Sequence, residues 1–240
     1  MGHIELEVDG ARIAFTDRLG GVSAPPYDTA NLGLATGDDP SAVTENRRRV
    51  SAALGGDARD PGRWAWVRQV HGGDVLEPSA PGRAGDADAL VTTDAELSLL
   101  VLVADCAPVA LVAGDAVAAV HVGWRGLLTG IVPAAVDLVR RRGRGRVRAV
   151  IGPCISARHY EFGARELDRV AQHVGAEVRA RTADGAPALD LRAGVRAALD
   201  DAGADERSDI DVCTFTSDVH FSHRRDGVTG RQALIVTRAR

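Results

Sequence analysis

Three side chains that can bind a metal ion stand near the ends of apolar or alternating segments in this sequence. Cys106 comes shortly after one apolar run, His121 closes the run 116–120, and His71 follows the alternating segment 64–70. Two imidazoles and one thiolate are typical ligands of a catalytic zinc ion, which keeps its fourth position open. We therefore predict one zinc ion per chain, held by His71, Cys106 and His121.

The same thiol and imidazole also suit a second chemistry. Gly114 and Asp115 predict a turn between two apolar runs, and the resulting hairpin would bring Cys106 close to His121. A thiol beside an imidazole is the nucleophile and base of cysteine hydrolases, and such a pair does not need His71. Copper oxidation is disfavoured, because a trinuclear copper cluster needs many histidines in HxH pairs, and the chain has seven histidines, no HxH and one methionine.

Other polar residues are candidates for the same site. Asp105, directly before the thiol, is a candidate proton carrier or loop cap. Arg47, beside Asn46 on a predicted helix, and Arg125, in a Gly-Trp-Arg-Gly turn, are candidates for binding an anion such as phosphate. Trp124 offers a flat face on which a ring can stack. Each also has an ordinary structural explanation as a cap, a solvated charge or a half-buried ring, so both alternatives stay open.

The two other thiols are expected to be unpaired. Cys154 follows a predicted strand at Gly152-Pro153 and is expected near the rim of the site, where it is a candidate for substrate contact. Cys213 is expected to be buried in a late strand as a small hydrophobic residue. An odd, small number of cysteines suits reduced thiols better than a disulfide framework.

The composition excludes several classes of protein. All 29 basic residues are arginines, which excludes Schiff-base chemistry, pyridoxal phosphate attachment and a phosphate-loop lysine. The net charge of −4 and the lack of a polybasic tail argue against nucleic acid. We expect neither a signal peptide nor a membrane span, because the first ten residues have no apolar core and no run approaches roughly 18 apolar residues. We expect a cytoplasmic monomer or small homo-oligomer that binds neither nucleic acid nor a membrane.

Hydrophobic periodicity predicts one domain over residues 1–240, with many strands and about five helices. Besides the apolar runs around the thiol, the strands are predicted at 4–8, 11–16, 64–70, 89–92, 146–151, 210–214 and 232–237. The helices are predicted at 38–54, 127–142, 164–174 and 189–202. Because helices and strands do not alternate strictly, the pattern favours an α+β fold.

Ten ordered blocks of sequence resemble one known family. They are GGVS (20–23), NLG (31–33), GDDP with ENR (37–47), QVHG (69–72), DAL (88–90), ADCAPV (104–109), HVGWRG (121–126), IGPCI (151–155), CT (213–214) and FSHRRDGVTGR (221–231). These blocks are similar to those of the YfiH family, laccase-like proteins long called polyphenol oxidoreductases and now described as purine nucleoside phosphorylases.

The resemblance implies an activity and a fold. It implies zinc at His71, Cys106 and His121, phosphorolysis of adenosine, inosine, guanosine and methylthioadenosine, and deamination of adenosine. It also implies two packed mixed β-sheets flanked by helices, similar to a cysteine-hydrolase-like toxin domain. Arg47 is the phosphate-binding candidate by this resemblance. The family commonly has tyrosine where His223 stands, so we expect this extra imidazole to alter substrate contacts.

Three functions therefore compete. The first is a zinc-dependent phosphorylase and deaminase of purine nucleosides. The second is a cysteine hydrolase, or a cell-wall-precursor editing enzyme, that uses Cys106. The third is a non-catalytic protein in which the metal only holds loops together. Metal stoichiometry separates the first two functions, and turnover of any nucleoside excludes the third.

Overall fold

The computed structural model of the protein describes residues 1–55 and 60–238. Its strands, in chain order, are β1 His3–Val8, β2 Ala11–Thr16, β3 Trp64–Arg68, β4 Val75–Leu76, β5 Gly82–Asp86, β6 Ala89–Thr92, β7 Ser98–Val103, β8 Ala107–Ala113, β9 Ala116–Val122, β10 Arg148–Ile151, β11 Arg179–Arg181, β12 Pro187–Leu189, β13 Glu206–Asp209 and β14 Gln232–Arg238. Its helices are α1 Pro40–Ala53, α2 Trp124–Thr129, α3 Ile131–Arg142, α4 Ala164–Val174, α5 Leu191–Asp201 and α6 His223–Asp226.

Twelve of these strands form two six-stranded sheets. The first sheet has the order β1-β2-β14-β7-β3-β5, and the second has the order β13-β10-β8-β9-β6-β4. Both sheets are mixed, because β3 pairs in parallel with β7 and β5, β10 with β13, and β4 with β6, while the remaining neighbours are antiparallel. The strands β11 and β12 form a separate antiparallel pair.

The two sheets pack face to face and are covered by helices on their outer sides. Residues of both sheets, such as Phe15 and Val101 of the first and Val112 and Ala119 of the second, share one buried cluster. The outer face of the second sheet packs against α2 to α5, and the outer face of the first packs against α1. This four-layer arrangement confirms the predicted single-domain α+β fold with two packed mixed sheets.

The central hairpin β8–β9 is buried along its whole length because both of its faces pack against other layers. Gly114 has a left-handed φ of 51° and forms the predicted turn with Asp115. Alternate residues of β9 therefore enter different layers: Val117 and Ala119 face the first sheet, and Ala118 and Val120 face the helices. His121 follows the first set and points between the two sheets.

Two predicted elements differ from the structure. The predicted helix 127–142 is two helices, because Gly130 adopts a left-handed conformation (φ 74°) that ends α2 and precedes α3. The predicted strand 210–214 is wrong, because the strand in this region is β13, which ends at Asp209. The backbone of Cys213 forms only an isolated β-bridge with the backbone of Cys154. Within residues 1–55 and 60–238, no helix is long and apolar enough to cross a bilayer.

Candidate metal-binding active site

The register of β8 and β9 brings Cys106 close to His121. Pro108 pairs with His121, and Cys106 stands immediately before the first residue of β8. His71 comes from the loop after β3, on the other sheet. Its ring lies edge-on to the ring of His121, with 4.8 Å between the two centroids. The structure thus brings together the three predicted ligands, one from the first sheet and two from the second.

The geometry and donor types of these three side chains fit a metal ion. One ligand atom from each of His71, Cys106 and His121 lies within 4.8 Å of the others, and the three are the single such group within the described residues. Ligands of a tetrahedral zinc ion lie about 3.3–3.6 Å apart, from bond lengths of roughly 2.0–2.3 Å. Shortening these separations by at most about 1.2–1.5 Å therefore converts this arrangement into three zinc ligands of nitrogen and sulfur type.

A fully buried carboxylate, Asp88, holds two of the three ligands in place. Its Oδ1 accepts hydrogen bonds from His121 Nδ1 (2.7 Å) and the backbone N–H of His71 (3.0 Å). Its Oδ2 accepts from the backbone N–H groups of Gly72 (2.7 Å) and Val70 (3.2 Å). Because Nδ1 of His121 is engaged with Asp88, its Nε2 is the nitrogen left for a metal.

The backbone around the ligands is strained in a way that Asp88 compensates. His71 has a φ of 57°, which is uncommon for a residue with a side chain. The turn that contains His71 directs its backbone N–H groups at the Asp88 carboxylate. These hydrogen bonds stabilise the unusual backbone conformation of His71. Gly123 completes the close packing, since a Cβ there would lie 2.8 Å from His71 Nδ1 and 3.3 Å from Cys106 Sγ. A side chain at position 123 would therefore displace the ligands.

Electrostatic effects act on the two histidines in opposite directions. Burial lowers the pKa of His121, but the charge of nearby Cys106 and the hydrogen bond to Asp88 outweigh burial and raise that pKa to about 9. The pKa of His71 is lowered by burial and by the positive charges of His121, Arg125 and Arg231. Without metal, His121 therefore carries a proton at neutral pH, and coordination through Nε2 must displace a proton.

Asp105 stands beside the thiol but its carboxylate binds other loops. Its Oδ1 accepts from the hydroxyl of Thr214 (2.6 Å) and its Oδ2 from the backbone N–H of Arg224 (2.7 Å). Its φ of 94° turns the chain sharply between β7 and β8, directly before Cys106. Asp105 thus fixes the backbone that presents the thiol. Its predicted role as a proton carrier stays a prediction, since both carboxylate oxygens already have partners.

A cavity of about 420 Å³ opens beside the three ligands. Its polar lining includes Arg68, Gln69, His223 and Arg231, and its apolar lining includes Leu102. The predicted contact residue His223 does line this cavity, with its Nδ1 hydrogen-bonded to the carbonyl of Gly227 (2.6 Å). A cavity of this size suits a small-molecule ligand rather than a macromolecule.

Asn46 and Arg47 are not part of the cavity lining. The buried side chain of Asn46 donates to Ser23 Oγ, Thr29 O and Asn31 O, and accepts from Val22 N. These contacts hold the loop between β2 and α1.

The guanidinium of Arg47 is engaged in the same loop region. It donates twice to Leu32 O (3.1 and 2.9 Å) and stacks over Trp66. Burial lowers the pKa of Arg47 to about 10. Its phosphate-binding role therefore remains a prediction without a contact to the cavity.

Trp124 and Arg125 are the first residues of α2 and are not part of the cavity lining. The guanidinium of Arg125 stacks 4.4 Å from the centre of the Trp124 ring. The ring of Trp124 also meets the ring of Phe162 edge-on at 5.4 Å. These contacts explain both side chains structurally, although the charge of Arg125 is close enough to lower the pKa of His71.

The structure reverses the expected positions of the other two thiols. Cys154 is fully buried rather than at the rim, because it lies under α5 in the core formed by the second sheet and the helices. Cys213 is partly exposed, and its sulfur accepts the backbone N–H of Ser156 (3.3 Å). All three cysteines are unpaired, as predicted.

We expect thiol titration to report this difference. Native protein should leave Cys154 unreactive, because it has no exposed surface and burial raises its pKa to about 12. Unfolding without reductant, after chelation of metal, should release three titratable thiols per chain. Mass spectrometry of a digest should find no peptide that links Cys154 to Cys213, and such a peptide would refute the expectation.

Two residues of the site were not recognised as such in the sequence: Asp88 and Arg231. Asp88 belongs to a DAL block and lies two residues before Leu90, so it points into the same inter-sheet layer. The available signal is an acid directly before the apolar residues 89–91. Arg231 stands directly before β14 in an arginine-rich chain, and nothing in its type or spacing distinguishes it.

The fold and the site define a two-sheet α+β protein with a His–Cys–His centre in a surface cavity. The family model described as multi-copper polyphenol oxidoreductase laccase matches residues 12–239. A purine nucleoside phosphorylase of Streptomyces coelicolor is 47% identical in an alignment of 236 positions that covers 94% of this chain and 95% of that protein.

Two further similarities extend over nearly the whole chain. The purine nucleoside phosphorylase YfiH of Escherichia coli K12 is 36% identical over 236 residues, 95% of this chain and 93% of that protein. The crystal structure of YlmD from Geobacillus stearothermophilus has a TM-score of 0.88 at 32% identity, covering 96% of this chain and 93% of that one. The chain belongs to the laccase-like polyphenol oxidoreductase family that includes YfiH.

Proposed function

We propose that the protein is a zinc-dependent purine nucleoside phosphorylase built as one catalytic domain over residues 1–240. The observation that carries this proposal is the cavity beside His71, Cys106 and His121 in a chain 47% identical to a protein of that name. The cavity volume of about 420 Å³ suits a nucleoside with a phosphate ion beside it.

The donor set supports zinc over copper. Two imidazoles and a thiolate suit a tetrahedral ion, and a multicopper cluster needs further histidine ligands. Only one group of three such donors comes together within residues 1–55 and 60–238, so this part of the chain offers a single three-ligand metal position. A zinc ion held there would supply a fixed positive charge and Lewis acidity next to the cavity.

The reaction exchanges one bond at C1′ of the ribose. An oxygen of phosphate forms a bond to C1′, the bond from C1′ to N9 of the purine breaks, and its electron pair leaves on the purine, which then takes up a proton. The site must hold both reactants in line and neutralise the phosphate charge. Leu102 and its apolar neighbours contribute the wall that keeps water from the sugar.

The resemblance to the YfiH family extends the proposal to adenosine, inosine, guanosine and methylthioadenosine as substrates, and to deamination of adenosine. Deamination replaces the amino group at C6 with oxygen from water and releases ammonia. We place His223 among the residues that contact the substrate, because it lines the cavity with an imidazole.

A phosphate-dependent assay tests the proposal. Inosine with phosphate should give hypoxanthine and ribose 1-phosphate in equal amounts, and omission of phosphate should stop the release of base. Adenosine should give adenine in the same way, and ammonia if deamination also occurs. If metal-loaded protein releases base from none of adenosine, inosine, guanosine and methylthioadenosine, phosphorolysis of purine nucleosides is excluded.

A cysteine hydrolase is the second candidate, favoured by one observation. Cys106 Sγ lies within 4.8 Å of a ring nitrogen of His121, and His121 in turn contacts Asp88, which is the order of a thiol–imidazole–carboxylate triad. The resemblance to a cysteine-hydrolase-like fold, which the sequence analysis predicts, would also favour this second candidate function. Chelation separates the two functions, because a triad keeps its activity without metal and the phosphorylase loses it.

A further inference from the structure

Arg231 presents a half-buried positive charge to the cavity. Its side chain lines the cavity together with His71, Cys106 and His121. Its Nη1 donates to the carbonyls of Thr229 (2.9 Å) and Gly230 (2.8 Å). Its Nε and Nη2 have no hydrogen-bond partner in residues 1–55 and 60–238, and no carboxylate there forms an ion pair with it. Part of its guanidinium fork is therefore available to a ligand.

Two other arginines near this site, Arg68 and Arg47, are already engaged. Arg68, which also lines the cavity, is exposed and makes a two-pronged ion pair with Asp86. Arg47 is engaged by the carbonyl of Leu32 and the ring of Trp66. The half-buried guanidinium of Arg231 has no counter-ion within the described residues, so an anion that enters beside it gains a charge-assisted contact like the one that Asp86 already makes with Arg68.

The surrounding loop fixes the position of Arg231. Asn31 Oδ1 accepts the backbone N–H of Arg231 (2.9 Å), and the backbone N–H of Leu32 donates to its carbonyl (3.0 Å). Gly33 packs on its side chain so closely that a Cβ would lie 3.1 Å from Cγ of Arg231. The side chains of Asn46 and Arg47 hold the same loop at Asn31 and Leu32. The guanidinium is thus preorganised rather than free to swing into solvent.

We propose that Arg231 forms an oxyanion subsite that binds the inorganic phosphate consumed by the reaction. This inference rests on the proposed phosphorylase function and names the residue that holds its second substrate. A guanidinium fork matches two oxygens of a tetrahedral anion, so Arg231 orients phosphate toward C1′ and neutralises part of its charge. It takes no proton in the step. Arg47 acts indirectly, by positioning the loop that packs against Arg231.

Equilibrium binding of phosphate tests this subsite without turnover. Isothermal titration of metal-loaded protein with inorganic phosphate should show a saturable site. Arg231→Gln should weaken it roughly 10- to 100-fold, as expected for loss of a charged, forked hydrogen bond. The matched control is Arg238→Gln, which removes the same charge at the other end of β14, where Arg238 pairs with Asp115. The control should bind phosphate as the wild type does.

Kinetics provide a second readout that a merely structural role would not change. Arg231→Gln should raise the phosphate KM roughly 10-fold or more and the nucleoside KM by less than about 3-fold. Elemental analysis should show equal metal content in both proteins. If Arg231→Gln does not fold, Arg231→Lys decides, because it keeps the charge and the stem but not the fork. The Arg231→Lys protein should bind phosphate at least about 3-fold more weakly than the wild type does.

The outcomes separate the subsite from the function. Wild-type phosphate affinity in Arg231→Gln, or in Arg231→Lys where only that variant folds, overturns the subsite. Loss of binding in Arg68→Gln with retention in Arg231→Gln also overturns it. Absence of saturable phosphate binding to the wild type overturns it as well. Release of no base by a wild type that binds phosphate through Arg231 would instead refute the phosphorylase and leave the anion subsite supported.

Discussion

Replacing Cys106 with Ala is expected to abolish release of purine base and to remove most of the bound metal. Cys106 supplies the only anionic ligand atom of the three that converge within 4.8 Å. Loss of a thiolate from a three-ligand site leaves two neutral imidazoles, which hold zinc weakly. We expect turnover to fall roughly 10³-fold or more. Elemental analysis and the phosphate-dependent assay on the same preparation measure both effects.

The matched control is Cys213→Ala, which removes a thiol outside the ligand group. The sulfur of Cys213 accepts the backbone N–H of Ser156, and the backbone of Cys213 forms an isolated β-bridge with that of Cys154. Cys213 is not part of the cavity lining. That variant should keep a full equivalent of metal and wild-type turnover. His71→Ala should also lose most of its metal. A His71→Ala protein that keeps one zinc per chain would show that the ligand group is assigned incorrectly, and robust turnover by Cys106→Ala would contradict the proposed site.

The sequence predicts the proximity of the candidate metal ligands well because the hairpin that joins two of them is local. Gly114 marks the turn, the buried runs on either side set the register, and Cys106 and His121 then follow as near neighbours. The N-terminal hairpin is predicted for the same reason, since Asp9-Gly10 separates two alternating segments that pair as β1 and β2. Short-range turn chemistry determines both structures.

Other parts of the site depend on contacts between distant residues, which periodicity does not encode. Arg231 meets a loop about 200 positions earlier, through Asn31 and Gly33. Arg47 has the residue type expected for phosphate binding, but tertiary packing turns it toward Leu32 and Trp66. A residue type thus predicts a chemical capacity, and its position in the fold decides whether that capacity reaches the cavity.

The depth of the two late cysteines illustrates the same limit. Cys154 follows the predicted strand 146–151 and Cys213 lies in the alternating segment 210–214, and the burial predicted from these local patterns is the reverse of the burial in the structure. The packing of α5 over Cys154 makes it the buried one, and Cys213 lies in the chain that leaves the sheet after β13. Only the three-dimensional arrangement of the helices determines which of the two cysteines is buried.

Asp88 shows how the site is coupled to the fold. Its backbone carbonyl accepts the N–H of His121 (2.8 Å) while its carboxylate accepts the same residue's ring nitrogen. The antiparallel register of β6 and β9, in which Ala89 pairs with Val120, sets this double contact. The strand pairing that builds the second sheet therefore also orients a metal ligand.

Replacing Asp88 with Asn is expected to weaken metal binding roughly 10- to 100-fold, the effect typical of removing a partner that orients a histidine ligand. The carboxylate accepts four hydrogen bonds, from the His121 ring and from the N–H groups of Val70, His71 and Gly72. An amide offers one oxygen, so its NH₂ group must face two of these donors. Each buried donor left without an acceptor costs about 1–3 kcal/mol of unfolding free energy.

Competition with a chromophoric chelator gives the metal affinity of Asp88→Asn, and the absorption bands of cobalt-substituted protein report the ligand geometry. Asp86→Asn is the matched control, because Asp86 lies two residues earlier, is exposed and pairs with Arg68 and Arg83. It should bind metal as the wild type does. Wild-type affinity and unchanged cobalt bands in a folded Asp88→Asn protein would mean that the His71 turn and the His121 ring hold their positions without this carboxylate.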